Sequence, residues 1–233
     1  VAWSLPEGAV LGVFAKRPDP GQVKTRLATA LGDDFAAKVA EAMTLDIADL
    51  WGSDRILAEG GRRVLAFTPD DAGPWFDARV GDAWSLVPQV GEDLGTRMRS
   101  FFADEFEDGA TRVVLIGADS PTIDPSIIVS AFLTLEHRDV VIGPSSDGGY
   151  YLIGCRVSVP PIFDGINWST PDVLSQTIDA IRDTGRSLGV LPPWYDVDTP
   201  DDWRTLRGHV RALRRAGVDP GLPRVETLAR DGG

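Results

Sequence analysis

Apolar positions along the chain follow two alternating patterns. Short runs at 10–14 (V-L-G-V-F), 63–67 (R-V-L-A-F), 86–89, 113–116 (V-V-L-I), 139–143 (D-V-V-I-G), 150–155 and 187–191 have the length and β-branched content of strands, several of them buried on both faces. Between them, apolar residues recur at helical spacing. The stripes are Phe35, Val39, Ala42, Met43 and Ile47; Leu94, Met98, Phe101 and Phe102; Ile127, Ile128, Ala131, Phe132 and Leu135; Val173, Leu174, Thr177, Ile178 and Ile181; and Trp203, Leu206, Val210 and Leu213. Asp124-Pro125, Thr170-Pro171 and Thr199-Pro200 each read as a capping side chain followed by a first-turn proline. Strands alternating with helices predict a single α/β domain with a mixed, mostly parallel sheet flanked by helices. The turn at Asp147-Gly148-Gly149 and the returning run behind it add antiparallel pairing. The domain is expected over 1–217. A loosely ordered tail is expected over 218–233, where Pro, Gly and Arg dominate.

The bulk composition narrows the partners. The chain of 233 residues carries 35 acidic and 23 basic side chains, a net charge of −12, and shows no basic patch along its length, which argues against nucleic acid as a ligand. Any phosphate site must then be a local cluster of Lys and Arg, with a metal ion to help. Cys155 is the single cysteine and the two histidines are His137 and His209, so neither an internal disulfide nor a zinc triad is available. No run is long enough to span a bilayer and no signal-peptide pattern stands out, and a cytoplasmic protein is expected. Oligomeric state is left open.

Candidate chemistry gathers where the predicted strands end, which is where open α/β sheets bind ligands. The run 113–116 passes through Gly117 to Asp119, a carboxylate placed either to cap a turn or to hold a divalent cation clamped to phosphate oxygens. After the first strand, the segment beginning Ala15-Lys16-Arg17 carries two prolines and a glycine, and Lys24 and Arg26 complete the densest cationic stretch of the chain. It is a phosphate cradle or a solvated basic loop. Gln89, ahead of Gly91 and Gly95, offers an amide to a nucleobase edge. Asp147, Gly148, Gly149 and Tyr150 form either a ligand wall or a plain hairpin turn. Asp201 and Asp202 suit the start of a helix, whereas Asp196 and Asp198 precede the cap and have no such role.

Five stretches, A-K-R-P-D-P-G-Q-V-K-T-R-L, Q-V-G-E-D-L-G-T-R-M, G-A-D-S-P, P-S-S-D-G-G-Y-Y-L-I-G and D-V-D-T-P-D-D-W, occur in order between Val10 and Trp203. Together they resemble the glycosyltransferase-like family related to 2-phospho-lactate guanylyltransferase, the rSAM/selenodomain-associated transferases. That resemblance implies the single-domain GT-A (nucleotide-diphospho-sugar transferase) fold and a transferase dependent on Mg²⁺ or Mn²⁺. Its donor would be a nucleotide or nucleotide sugar and its acceptor a small molecule. Carried over by motif, Ala15, Lys16, Lys24 and Arg26 belong to the nucleotide phosphates, and Gln89 and Gly95 to the base. Asp119 belongs to the metal, with Asp198 or its rival Asp196. Gly148, Gly149, Tyr150 and Trp168 fall to the acceptor or sugar. Glycosyl transfer, with Asp147 as the base that takes the acceptor proton, is the first expectation. Guanylyl or other nucleotidyl transfer with release of pyrophosphate is the alternative, and a nucleotide-binding module without turnover is a third reading. The basic loop, with prolines and Gly21 alone, departs from the Gly-rich loop of the molybdenum-cofactor guanylyltransferases. The K-T-R-L ending is closer to the phospho-lactate enzymes, which in turn carry a Thr-Asn segment where this chain has D-G-G-Y-Y.

Overall fold

The computed structural model describes residues 3–53, 56–57 and 60–231. Its strands are β1 (Trp3–Ser4), β2 (Ala9–Lys16), β3 (Ile56–Leu57), β4 (Arg62–Thr68), β5 (Ser85–Pro88), β6 (Arg112–Gly117), β7 (Val140–Pro144), β8 (Tyr150–Arg156) and β9 (Leu188–Val190). The helices are α1 (Thr25–Leu31), α2 (Asp33–Gly52), α3 (Gly73–Asp77), α4 (Leu94–Glu107), α5 (Pro125–Thr134), α6 (Val173–Asp183), α7 (Pro200–Arg215) and α8 (Pro223–Asp231).

Seven strands form one sheet in the order β5-β4-β2-β6-β8-β7-β9, and β1 pairs with β3 apart from it. β2 lies parallel between β4 and β6, and β4–β5 and β7–β9 are parallel as well. β8 runs antiparallel to both neighbours, because it returns through a turn and inserts between β6 and β7. The mixed, mostly parallel α/β sheet expected from the sequence is therefore present.

Side-chain alternation divides the core between the faces. From β2, Leu11, Val13 and Ala15 pack with α2, α3 and α5, while Val10 and Phe14 pack with α4 and α6. A third apolar cluster joins α1, α2, α7 and α8 through Leu27, Met43, Trp203, Leu206, Val210 and Val225. Helix starts follow their caps. Asp93 and Asp124 accept the Thr96 and Ser126 N–H groups, each at 2.8 Å, and Thr199 and Asp202 form a reciprocal capping box on α7. The cap expected at Thr170 lies two residues early. Thr170 Oγ1 donates to the Asn167 carbonyl, and α6 begins at Val173 behind Asp172. The basic loop is shorter than the sequence suggests: it ends at Lys24, whose left-handed backbone precedes α1 from Thr25.

Two expectations are corrected at the C-terminus. Where a loosely ordered tail was expected over 218–233, the described residues include α8, packed on α2 (residues 232–233 lie outside them). The buried carboxylate of Asp46 on α2 accepts the Arg224 and Val225 N–H groups at 3.0 and 2.9 Å, and so satisfies donors that the first turn of α8 would leave open. A basic patch does exist, although none shows along the chain. Arg207, Arg211, Arg214 and Arg215 of α7 meet Arg230 of α8 around a groove of about 870 Å³, where Glu226 pairs with Arg214 and Arg230. Helical spacing gathers charges that look dispersed in sequence.

Asp46→Ala strands those N–H groups, and it is expected to lower stability by about 2 kcal/mol, the scale of a lost cap plus buried hydrogen bonds. Urea unfolding measures the loss, and ligand affinity at the strand ends should not move with it.

Candidate active site

β2 and β6 lie side by side in parallel, so the loops after Lys16 and Gly117 leave the same edge of the sheet. The turn after β6 is tied down twice. Ala118 donates to the Phe14 carbonyl at 3.2 Å, and the Asp119 carbonyl accepts from Val197 N–H at 2.9 Å. Val197 is fully buried in the cluster under α7, and alternation along Asp196-Val197-Asp198 turns both aspartates to the opposite side. Three segments remote in sequence therefore converge at one point.

Lys24 stands at that point. Its ammonium donates to Asp119 Oδ1 and, at 2.9 Å, to Asp198 Oδ1. The Lys24 side chain is 5% exposed, against 53% for Asp119 and 38% for Asp198, so the cation lies beneath two carboxylates that face the cleft. Its backbone is left-handed, with φ 46° and ψ 42°, a conformation costly to a residue with a Cβ. Burial works against the ammonium, but the charges of Asp119 and Asp198 outweigh it, and Lys24 holds its proton more tightly than an ordinary lysine.

A cleft opens on each side of Asp119. One pocket, of about 280 Å³, is lined by Lys16, Gln22, Lys24, Thr44, Gln89 and Asp198 among others. The second, of about 220 Å³, holds no cationic side chain among the described residues and has Met98, Leu115, Tyr150 and Tyr151 beside Asp119 and Asp196. Phe14, Leu94 and Asp119 border both. Lys16 Nζ rests on the Gln22 carbonyl at 2.7 Å at the rim of the first pocket. Gln89 Nε2 donates to the Ala15 and Ala66 carbonyls at 3.2 and 2.9 Å, pinning the ends of β2 and β4. Ala15 itself is buried, with its carbonyl engaged in that bond. Arg26 is exposed on α1 and lines neither pocket.

On the other side, Asp196 accepts the hydroxyls of Ser120 and Ser145, one on each oxygen. Burial pushes its pKa above the ordinary carboxylate value, with the two hydroxyl bonds pulling the opposite way. Asp147 Oδ1 accepts from Gly149 N–H at 2.9 Å and so holds its own turn. Gly148 has φ +92°, and a Cβ there would collide with the Pro171 backbone, which explains the glycine as packing. Tyr150 presents its ring to the second pocket, while its hydroxyl turns to Met98 Sδ at 3.9 Å. Trp168 lines neither pocket. Its indole lies where a Cβ on Gly95 would come within 2.6 Å of Nε1, so Gly95 is small in order to admit Trp168. Ser120 and Ser145 carry no assignment from sequence, although they sit inside the stretches G-A-D-S-P and P-S-S-D-G-G-Y-Y-L-I-G. Thr44, a hydroxyl on the apolar face of α2, carries none either.

Among the described residues no group of three or more His, Cys, Asp or Glu side chains gathers as a metal cage. Asp119 and Asp198, both touching one nitrogen, are already collected around a cation-sized point. Two hard carboxylates fit Mg²⁺ or Mn²⁺ completed by phosphate oxygens, and do not fit an ion enclosed by protein alone.

Residues 54–170 match a family described as an uncharacterized protein conserved in bacteria (DUF2064), and the chain belongs to that family. It is 32% identical over 189 residues to a 3-phospho-D-glycerate guanylyltransferase of Phenylobacterium zucineum (strain HLK1), covering 77% of this chain and 81% of that protein. It is 31% identical over 209 residues to a phosphoenolpyruvate guanylyltransferase of Conexibacter woesei, covering 84% and 86%. A crystal structure from Desulfovibrio desulfuricans G20, under the provisional name of nucleotide-diphospho-sugar transferase, superposes with a TM-score of 0.82 at 35% identity, covering 97% of this chain and 98% of that one. The chain is thus an enzyme of the nucleotide-diphospho-sugar transferase and guanylyltransferase superfamily, with the GT-A-like fold. A specific kinship with 2-phospho-lactate guanylyltransferases is not what these relatives support. No helix among the described residues is long and apolar enough to cross a membrane.

The Lys24 ammonium has a further consequence. A group that binds its proton more tightly when folded stabilises the fold below its unfolded pKa, and that stability is lost as pH rises through the folded value. The stability difference between the wild type and Lys24→Met is expected to stay level from about pH 7 to 9 and to narrow above about pH 10.4, the ordinary lysine value. Urea melts across that range measure it; a gap that persists to the alkaline limit of the fold would mean that Lys24 is not charged in its pocket.

Proposed function

We propose that this protein is a nucleotidyltransferase, of the guanylyltransferase kind, that joins a nucleoside monophosphate to the phosphate of a small phosphorylated acceptor. The observation that carries the reading is the Lys24–Asp119–Asp198 junction, set on the seam between a pocket bearing two lysines and a second one walled by Met98, Tyr150 and Tyr151. The triphosphate lies in the lysine pocket, where Lys16 and Lys24 neutralise its oxygens. Gln89, with its amide nitrogen committed to two carbonyls, keeps its oxygen for a base N–H, which suits the donor edge of guanine. Asp119 and Asp198 hold Mg²⁺ or Mn²⁺. When bound, that ion supplies charge neutralisation on the triphosphate and on the departing pyrophosphate. The acceptor body occupies the second pocket against Met98, Tyr150 and Tyr151. An acceptor phosphate oxygen forms the new bond to the α-phosphorus, the α–β anhydride bond breaks, and pyrophosphate leaves with the electron pair.

The glycosyl-transfer expectation has less support. It rested on hydroxyls of the D-G-G-Y-Y hairpin, and there Asp147 serves its own turn while the Tyr150 hydroxyl faces Met98. The guanylyltransferase names of two relatives favour the nucleotidyl reading. An attacking phosphate is already anionic, so this reading asks for no general base and makes Asp147 dispensable.

Incubation with Mg²⁺, each nucleoside triphosphate in turn, and phosphorylated acids such as 3-phosphoglycerate or phosphoenolpyruvate is expected to release pyrophosphate only when donor and acceptor are both present. Asp119→Ala should reduce that rate by ~100-fold or more, and Asp147→Asn should stay within about threefold of the wild type. Sugar transfer from a nucleotide sugar, with no pyrophosphate from any triphosphate, would overturn the proposal.

A further inference from the structure

The junction that carries the proposed function has an unbalanced charge. Lys24 supplies one positive charge against the two negative charges of Asp119 and Asp198, which leaves the trio at −1. Even with Lys16 counted, the described charged side chains lining the lysine pocket sum to zero, which gives a triphosphate no net attraction. A divalent cation on the same two carboxylates would cancel them and leave both lysines free to face anions. Lys24 already donates to one oxygen of each carboxylate, and a divalent ion drawn to the same pair would lie close to the ammonium and be repelled by it. Both carboxylates are open to the cleft while Lys24 lies beneath them, so an ion arriving from the cleft meets the oxygens first. Lys24 also has somewhere to go, since its side chain borders the lysine pocket and four rotatable bonds allow it to turn.

We propose that Lys24 is a place-holding cation: in the nucleotide-free enzyme its ammonium stays on Asp119 and Asp198 and weakens their hold on a free divalent ion, and it releases them when a triphosphate arriving with its ion offers it another anion. This deepens the nucleotidyltransferase reading and rests on it for the nature of the incoming ligand. The enzyme alone takes up a free divalent ion poorly, and uptake of the ion and of the triphosphate are mutually favourable.

The test is Mn²⁺ binding followed by electron paramagnetic resonance, with no nucleotide present. Lys24→Met should bind one Mn²⁺ on the order of tenfold more tightly than the wild type, a typical size for coupling between ligands. Adding Asp119→Asn to Lys24→Met should abolish the gain. Unchanged Mn²⁺ affinity in Lys24→Met, or tight Mn²⁺ binding by the nucleotide-free wild type, overturns the proposal. A second measurement needs no variant. Water-proton relaxation should show the wild type binding Mn²⁺ on the order of tenfold more tightly with a non-hydrolysable GTP analogue than without it, and equal affinities again overturn the proposal. The outcomes separate from those of the reaction itself. Pyrophosphate release without a gain in Mn²⁺ affinity removes the place-holder alone. A gain without pyrophosphate release from any triphosphate removes the nucleotidyl reading and leaves the hold of Lys24 on its carboxylates intact.

Discussion

One buried ammonium organises the ligand-binding edge of this protein. Lys24 reaches from the loop after β2 to Asp119 after β6 and to Asp198 ahead of α7, and no other described side chain joins those three segments. Removing a charge from water is expensive, and a single carboxylate seldom compensates for it; here two do, and the backbone bond from Val197 to Asp119 holds them in register. The rest of the arrangement is subordinate to that contact. β2 is central and parallel to β6 so that the two loops emerge together, and α7 starts behind a capping box that fixes Asp198 through its own N–H bond to Asp202.

The fold was legible in the sequence wherever burial forces a pattern. β2, β4 and β6 are apolar on both faces because helices cover both, and that is visible in the letters alone. The position of β8 between β6 and β7 was not visible, because a returning strand can pair on either side of its neighbour and only the packed sheet decides. α8 was missed for a related reason: the group that satisfies its first turn is Asp46, far away in sequence on α2. The arginine groove needed α8 in place before the spacing along α7 could gather into a surface.

At the site, the motifs named Lys24, Asp119 and Asp198, but they did not reveal that these residues contact one another. Sequence assigns residues to ligands one at a time, whereas the folded chain makes them partners first. Gln89 was read as a base contact, and it also pins two strands. Gly95 was read as a neighbour of the base, and its missing side chain makes room for Trp168. Asp196 and Asp198 were indistinguishable by position, yet Asp196 takes two serine hydroxyls and Asp198 takes Lys24. The proposed chemistry uses this division of labour. One wall of the cleft neutralises phosphate, the other receives the body of the acceptor, and the reacting phosphorus lies on the seam between them.

That placement can be examined directly by letting a bound ion report its own position. Fe²⁺ in place of Mg²⁺, with ascorbate and peroxide, cuts backbone near the site where it is held, and the cuts can be mapped by mass spectrometry. With a non-hydrolysable GTP analogue present, the account predicts cleavage concentrated in two segments, around Asp119 and around Asp198, and little cleavage without the nucleotide. Cutting confined to other segments, or equally strong at these two without nucleotide, would contradict it.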